Sequence, residues 1–418
     1  MNMETKAAII TVGDEILYGH ITDTNSAFLA NQLTENGFSV DKIISVGDQI
    51  EFILEALEGL RNQVSIIVIT GGIGPTKDDK TKNALEIFYN SPLRLFPEAL
   101  EQIKAFFKKR DKPLTELNYR QAWLPANCLY IPNLYGTAPG MWFEENNQVC
   151  VSLPGVPVEM KLIAKEQVIP RLKSRFPATV ISHQLVKTIG IGESILAENI
   201  SDWEARLPPE IQLAYLPSIG EVTLRLSIKG GSEEKNMKAL SEQVGLLQPL
   251  IHQYIYGYND ISVAEAVGQL LTQTKLNVAT AESCTGGAIA AALTSVAGSS
   301  AYLLGGVVAY QNEIKINMLG VSESTLKEHG AVSEQTVIEM ARGIRQHTGA
   351  SIGVSSSGIA GPAGGTPEKP VGTVWIACAD IEGVITQKLN LNGTRETNIN
   401  QTVVAVFALL IQRLTRKS

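Results

Sequence analysis

The sequence predicts an α/β protein of three parts, and three observations carry that prediction. At 418 residues the chain exceeds what one hydrophobic core ordinarily serves, so two or three domains are expected. Short apolar runs alternate with helical patterns near both ends, as parallel strands with crossover helices require. Glycine-rich turns follow several of those runs, where open α/β sheets bind their ligands. The divisions fall at 1–172, 173–257 and 258–418.

Composition narrows the class. Hydrophobic residues at 44% and charged ones at 18% give a globular chain with ample material to bury. No apolar run approaches the ~20 residues of a membrane span, and the first residues lack a signal-peptide layout, so a cytoplasmic protein is expected, with no membrane partner. A net charge of -7 argues against nucleic-acid binding, which selects for clustered cations. The one basic cluster, 108–112, reads as a solvated helix end. Cys128, Cys150, Cys284 and Cys378 form no C-x-x-C pair, and no two histidines stand at ligand spacing on a helix. Reduced thiols are expected, and no structural zinc.

In the first part, residues 7–12 read as a buried strand that ends at Gly13-Asp-Glu. A helix capped by Asp23 or Thr24 stops at Gly37. A strand over 39–46, a helix over 50–60 and an apolar strand over 65–70 follow. The last ends in Gly71-Gly-Ile-Gly-Pro-Thr-Lys-Asp-Asp-Lys-Thr81. Its glycines permit close approach of a phosphate, and Asp78 and Asp79 suit a divalent cation or, as plainly, the cap of the helix from Thr81. The middle part shows a strand over 184–189, a helix over 192–200, a strand of period two over 222–228 and a helix over 232–250. Residues 254–260 read as a linker.

The last part opens on a capping box, Ser262 with Glu265, and a helix to Thr274. Segment 281–287, Ala-Glu-Ser-Cys-Thr-Gly-Gly, then follows an apolar run and precedes a small-residue helix. A strand, tight turn and helix start of this kind bring Ser283 and the first free helix N–H groups into one space, suited to an oxyanion. The plain alternative is a helix cap. Downstream, 305–315 delivers Tyr310 and Lys315, and a second glycine-rich turn over 357–365 follows another apolar strand. No histidine lies near these loops, so Lys315 is the candidate base for a Ser–Lys pair. Cys284 is the lesser nucleophile, lacking a basic partner.

With 281–287, 310–315, 357–365 and the run 368–375, Glu-Lys-Pro-Val-Gly-Thr-Val-Trp, the sequence resembles the CinA family over essentially its whole length. Its C-terminal part is similar to the nicotinamide mononucleotide (NMN) deamidases. The resemblance implies a three-layer α/β/α, molybdopterin-binding-like N-terminal domain, a small α+β KH-like middle domain and a three-layer α/β C-terminal domain. It implies hydrolysis of NMN to nicotinate mononucleotide and ammonia without a cofactor, with Ser283 as nucleophile and Lys315 and Tyr310 assisting. Thr285, Gly286 and Gly287 would hold the oxyanion. Ser357, Gly358, Gly361, Gly364, Gly365, Thr373 and Arg395 would surround the nucleotide. Where relatives carry a second Arg, this chain has Asn398-Ile-Asn400.

For the N-terminal half the resemblance implies an ADP-ribose pyrophosphatase using Mg, Mn or Co on Asp78 and Asp79. Asp14, Glu15, Asn25, Gly71, Gly72, Gly74, Thr76 and Thr81 would form its cleft. The alternative is a competence-linked, molybdopterin-like ligand-binding or regulatory protein with one or both sites idle. A homodimer is expected.

Overall fold

The computed structural model describes residues 5–415, which fold as two compact units. The first takes the chain to residue 182 together with 229–233, and the second takes 183–228 and the chain from 234.

The first unit is built on a six-stranded sheet in the order Ser39–Val46, Lys6–Val12, Ile66–Thr70, Gln148–Leu153, Gly140–Glu145, Leu129–Ile131. Ile66–Thr70 is buried at every residue. Its alternate side chains feed two separate cores, Ile67 and Ile69 with Ile10 and Leu57 on one face, Ile66 and Val68 with Ile9 and Leu33 on the other. Period two along a strand, with a core on each side, produces the three-layer α/β/α arrangement. The first four strands are parallel, as expected, and the last two add an antiparallel edge that the sequence reading did not include. The cause is local: Asn146 and Asn147 both take positive φ, 48° and 63°, the conformation of a tight hairpin turn that Asn tolerates. Helix Thr24–Glu35 starts where expected, with the Asp23 carboxylate accepting from the Ser26 N–H at 2.9 Å.

In the second unit a four-stranded sheet runs Ile211–Ser218, Glu221–Lys229, Ile181–Ile189, Ile255–Tyr258. The last of these falls in the segment read as a linker; it pairs antiparallel with Ile181–Ile189, as its β-branched and aromatic residues favour. Helices Glu193–Glu204 and Glu233–Ile251 bury Leu196, Ile200, Leu240 and Leu247 against this sheet. The hollow lined by the loop 190–192 carries Glu193 and Glu221 and no Lys or Arg.

The C-terminal sheet runs Leu303–Val308, Val278–Glu282, Ile352–Gly358, Thr373–Ala379, Val384–Asn390. The first three strands are parallel and the last two antiparallel. Val263–Thr274 and Arg395–Thr415 cover one face through Val267, Leu271, Phe407 and Leu410. Glu334–Thr348 covers the other through Val337, Met340, Ala341 and Ile344. Because the three parallel strands end at the same edge, the loops after each of them open there together.

Candidate functional site

Val278–Glu282 is buried along its whole length, and its neighbours on both sides fix where it stops. The next residue, Ser283, is held by its N–H to the Ser356 carbonyl at 3.0 Å. The chain then turns through Gly286 and Gly287, at φ 62° and 100°, a left-handed path that glycine takes without the cost a Cβ brings. Helix Ala288–Thr294 begins immediately after. The turn therefore fixes Ser283 at the sheet edge, 8% exposed.

Lys315 comes from helix Asn312–Leu319, which starts just beyond the edge strand. Its side chain points inward and is 1% exposed. The Nζ atom lies 3.2 Å from Ser283 Oγ, 2.7 Å from the Ala309 carbonyl and 3.3 Å from the Tyr310 carbonyl. Burial lowers its pKa from the ordinary lysine value. A neutral amine has two N–H donors and one lone pair. As an ammonium it donates to all three oxygens; as a neutral amine with its two donors on the carbonyls, it would turn its lone pair to the Ser283 hydroxyl, as a base beside a nucleophile requires.

One expectation about this turn is corrected. The N-terminus of Ala288–Thr294 is not free for an oxyanion, because the chain supplies its own anion. Glu282, 1% exposed, accepts from the N–H groups of Gly287 and Ile289 at 2.9 and 3.0 Å and of Ala290 at 2.8 Å. The Thr285 hydroxyl donates to the same carboxylate at 2.7 Å. Gly286 N–H goes to the Ser283 carbonyl and Ala288 N–H to that of Thr285. Among the described residues, this leaves the N–H groups of Cys284 and Thr285 without a carbonyl or carboxylate partner. They are the donors of this turn that remain uncommitted, whereas those of Gly286 and Gly287 are spent. Glu282 is the residue that sequence reading missed; an acidic residue followed by Ser-x-Thr-Gly-Gly at a helix start was its signal.

The outer wall is polar. The Tyr310 side chain is 56% exposed and does not join the Ser–Lys pair, which corrects the expectation that it shares that network. Its hydroxyl accepts from Arg395 Nη2 at 3.0 Å, and Arg395 Nη1 donates to the Gly361 carbonyl at 2.8 Å. Arg395 forms no ion pair with a carboxylate among the described residues, so its charge is available to an anion. Asn398, in the stretch where the resemblance led us to look for a second Arg, is fully buried and spends its amide on Ala360 and Gly393 at 2.9 to 3.1 Å. The Ser357 hydroxyl is likewise committed, to the Ala331 carbonyl at 2.7 Å. Gly358 ends its strand beside Val374, Thr373 is buried at the start of the neighbouring one, and Gly364 and Gly365 are exposed. Cys284 is 6% exposed, and burial pushes its thiol up to about 12. At neutral pH roughly one molecule in 10⁵ carries the thiolate that alkylation requires. Iodoacetamide at pH 7 is thus expected to spare Cys284 in the native protein and to modify it after denaturation, as peptide mass analysis reads out; alkylation at the rate of a free thiol would contradict this burial.

At the strand ends of the N-terminal sheet lies a cleft of about 330 Å³. Glu15, Asn25, Gly71, Gly72, Gly74, Asp78 and Asp79 line it, joined by Asp48, Gln121 and Glu159, which the sequence did not single out. Asp14 instead braces two loops, its N–H donating to Asp48 at 3.1 Å and its carboxylate accepting from the Asp48 N–H at 3.3 Å. Thr81 is buried and ties its hydroxyl to the Gly71 carbonyl at 2.9 Å. Asp79 accepts from Gly74 N–H at 2.7 Å and from the N–H and hydroxyl of Thr76 at 2.8 and 2.5 Å. Both of its oxygens thus also help shape the loop. No three His, Cys, Asp or Glu side chains among the described residues converge as a metal site. Burial and the nearby Asp14, Glu15 and Asp78 charges raise the pKa of Asp48.

Comparison with known proteins agrees with this architecture part by part. The probable molybdopterin binding domain matches residues 8–174, the damage-inducible protein CinA KH domain 183–257 and the CinA C-terminal domain 260–414. A CinA-like protein of Cytophaga hutchinsonii is 49% identical over 99% of both chains. A putative competence-damage inducible protein of Halothermothrix orenii is 42% identical over 98% of both. No described helix is long and apolar enough to cross a membrane. With close relatives matching from end to end and all three parts recognised in order, the chain belongs to the CinA family.

Proposed function

We propose that the C-terminal site hydrolyses the carboxamide of NMN, and the contact of Ser283 Oγ with a buried lysine amine at 3.2 Å is the observation that carries this reading. Neutral Lys315 takes the Ser283 proton as the hydroxyl oxygen attacks the amide carbon. The N–H groups of Cys284 and Thr285 stabilise the oxyanion. Collapse breaks the C–N bond, Lys315 returns the proton to the leaving nitrogen, and ammonia departs from an acyl ester on Ser283. Water, deprotonated by Lys315, then cleaves the ester to nicotinate mononucleotide. Arg395, with Tyr310 against it, suits the phosphate of the nucleotide.

Ammonia release on adding NMN tests the proposal; none at any substrate concentration would overturn it. The pH profile tests the base. Because burial lowers the Lys315 pKa, the neutral amine appears at lower pH than for a free lysine near 10.4. Activity is expected to rise with pH to a plateau, with its inflection below that value. An inflection at or above it would remove Lys315 from the role.

For the N-terminal cleft we propose a nucleotide ligand, with ADP-ribose as the candidate substrate. Release of AMP from ADP-ribose with Mg²⁺, Mn²⁺ or Co²⁺ is the assay, and its absence under all three leaves the cleft a binding site.

A further inference from the structure

Within the second unit, a hollow of about 410 Å³ lies where the KH-like part meets the C-terminal part. On one side stand the turn 190–192 and the tip of the hairpin that joins Ile211–Ser218 to Glu221–Lys229; on the other stand strand Val384–Asn390 and helix Arg395–Thr415. Packed elements ordinarily leave few voids larger than a water, and this one exists because its walls are short. Gln401, Val404, Ala405 and Ala408 form one stripe of the helix, at spacings of three and four, and two of them are alanine. Gly190 and Gly220, at φ 75° and 74°, carry the chain past that stripe with no side chain, and a Cβ on Gly220 would stand 2.8 Å from Val404. The volume is in the range of small-molecule sites.

The lining selects the chemistry of what fits. Leu389, Leu391, Val404, Ala405 and Ala408 make it chiefly apolar, and its charged groups are Glu193 and Glu221, with no Lys or Arg. Glu193 is exposed and forms no ion pair among the described residues. Glu221 accepts from the Tyr256 hydroxyl on one oxygen, Oε2, at 2.5 Å, and it too has no cation beside it among the described residues. Two uncompensated carboxylates over an apolar floor repel an anion and attract a cation. Gln401 supplies an independent sign of a ligand. Its Oε1 is closed to water and has no donor among the described residues, although buried polar atoms are nearly always paired. Neither end of that amide is committed among the described residues, so it can turn to a donor placed in the hollow.

We propose that this hollow binds an apolar organic cation, a protonated amine on an aromatic or branched body, with the ammonium against Glu193 and Glu221, the body on the leucine and alanine side chains, and an N–H of the body donating to the Gln401 amide oxygen. The carboxylates select the charge and the apolar walls select the body. Nucleic acid is excluded from the same turn, since its phosphates need cations that the walls do not carry. The inference stands apart from the readings of both strand-end sites, because none of the residues assigned to either lines this hollow.

Calorimetric titration of the full chain with tryptamine, tryptophol and indole-3-acetate presents one indole body with an ammonium, a hydroxyl and a carboxylate in turn. Tryptamine is expected to bind at one site and to weaken with salt, tryptophol to bind at least tenfold more weakly, and indole-3-acetate to show no binding at millimolar concentration. Glu193→Gln with Glu221→Gln keeps the shape of the walls and an acceptor for the Tyr256 hydroxyl; it should weaken tryptamine at least tenfold and leave tryptophol unchanged. Ala405→Phe, which fills the hollow from the helix, should weaken tryptamine and tryptophol alike at an unchanged melting temperature. Should that variant unfold, the glutamine pair decides alone. Tryptamine that fails to bind at millimolar concentration, binds no more tightly than indole-3-acetate, or binds the glutamine pair as tightly as the native chain overturns the proposal, and so does undiminished binding by a folded Ala405→Phe.

Discussion

Ser283→Ala and Lys315→Met are each expected to lower ammonia release from NMN by at least about 10²- to 10⁴-fold, the range that a positioned proton-transfer group contributes, and the double variant should be no slower than the worse single one. Residues that act as one unit lose their whole contribution when either is removed, so their effects do not add. Methionine is chosen because Lys315 is 1% exposed: a side chain of similar length keeps the space filled, whereas alanine would open a cavity and confound activity with stability. Lys315→Arg supplies a second test. The guanidinium stays charged at any working pH and cannot accept the Ser283 proton, so this variant should be as slow as Lys315→Met although it places a hydrogen-bonding cation at the same position. Stepwise, additive losses, or an active Arg variant, would show that the two side chains do not act as nucleophile and base.

How much of this was legible in the sequence depends on the range of the interaction. Features set within a few residues were read well. The Asp23 cap and the Ser262–Glu265 capping box form from side chains three positions apart, and the buried strand before Gly71 shows as an unbroken apolar run. The Ser283 turn was visible because its glycines and hydroxyls are consecutive. That Lys315 should reach Ser283 was suggested by residue type and by resemblance, since the 32 positions between them carry no periodic signal of contact.

What escaped depends on partners far apart or on competition for one group. Whether helix N–H groups are free cannot be read from a helix start alone; here they are occupied by Glu282, a strand residue whose neighbours have to hold it inward. Tyr310 illustrates the same limit. Its backbone carbonyl touches the Lys315 amine while its ring turns to Arg395, 85 positions away. Asp79, acidic and beside a glycine loop, also makes three hydrogen bonds within five residues that shape that loop, which its residue type alone does not reveal. The hairpin at Asn146 and Asn147 was missed because the apolar, strand-like run before it was not read as a strand.

Glu282→Ala is expected to destabilise the C-terminal part of the chain by about 3–5 kcal/mol, since several buried donors are left unsatisfied at about 1–3 kcal/mol each. Three backbone N–H groups and the Thr285 hydroxyl lose their acceptor together, in a place where the native side chain is 1% exposed and water replaces it poorly. For a part of this size the change is a fall in melting temperature of roughly 10 °C. Glu282→Gln keeps the volume and one acceptor oxygen but turns an N–H pair toward donors, so it should lie between the native chain and Glu282→Ala. The two variants also separate positioning from bulk stability. Assayed well below the melting temperature of each, both remain folded, and the turn that holds the Cys284 and Thr285 N–H groups is what differs. On the proposed mechanism those donors act on the oxyanion and not on bound substrate, so kcat for ammonia release should fall in the order native, Gln, Ala, with KM little changed. A loss of stability without a loss of kcat would make Glu282 a helix cap alone; a native-like melting temperature for Glu282→Ala would show that the carboxylate does not hold the turn.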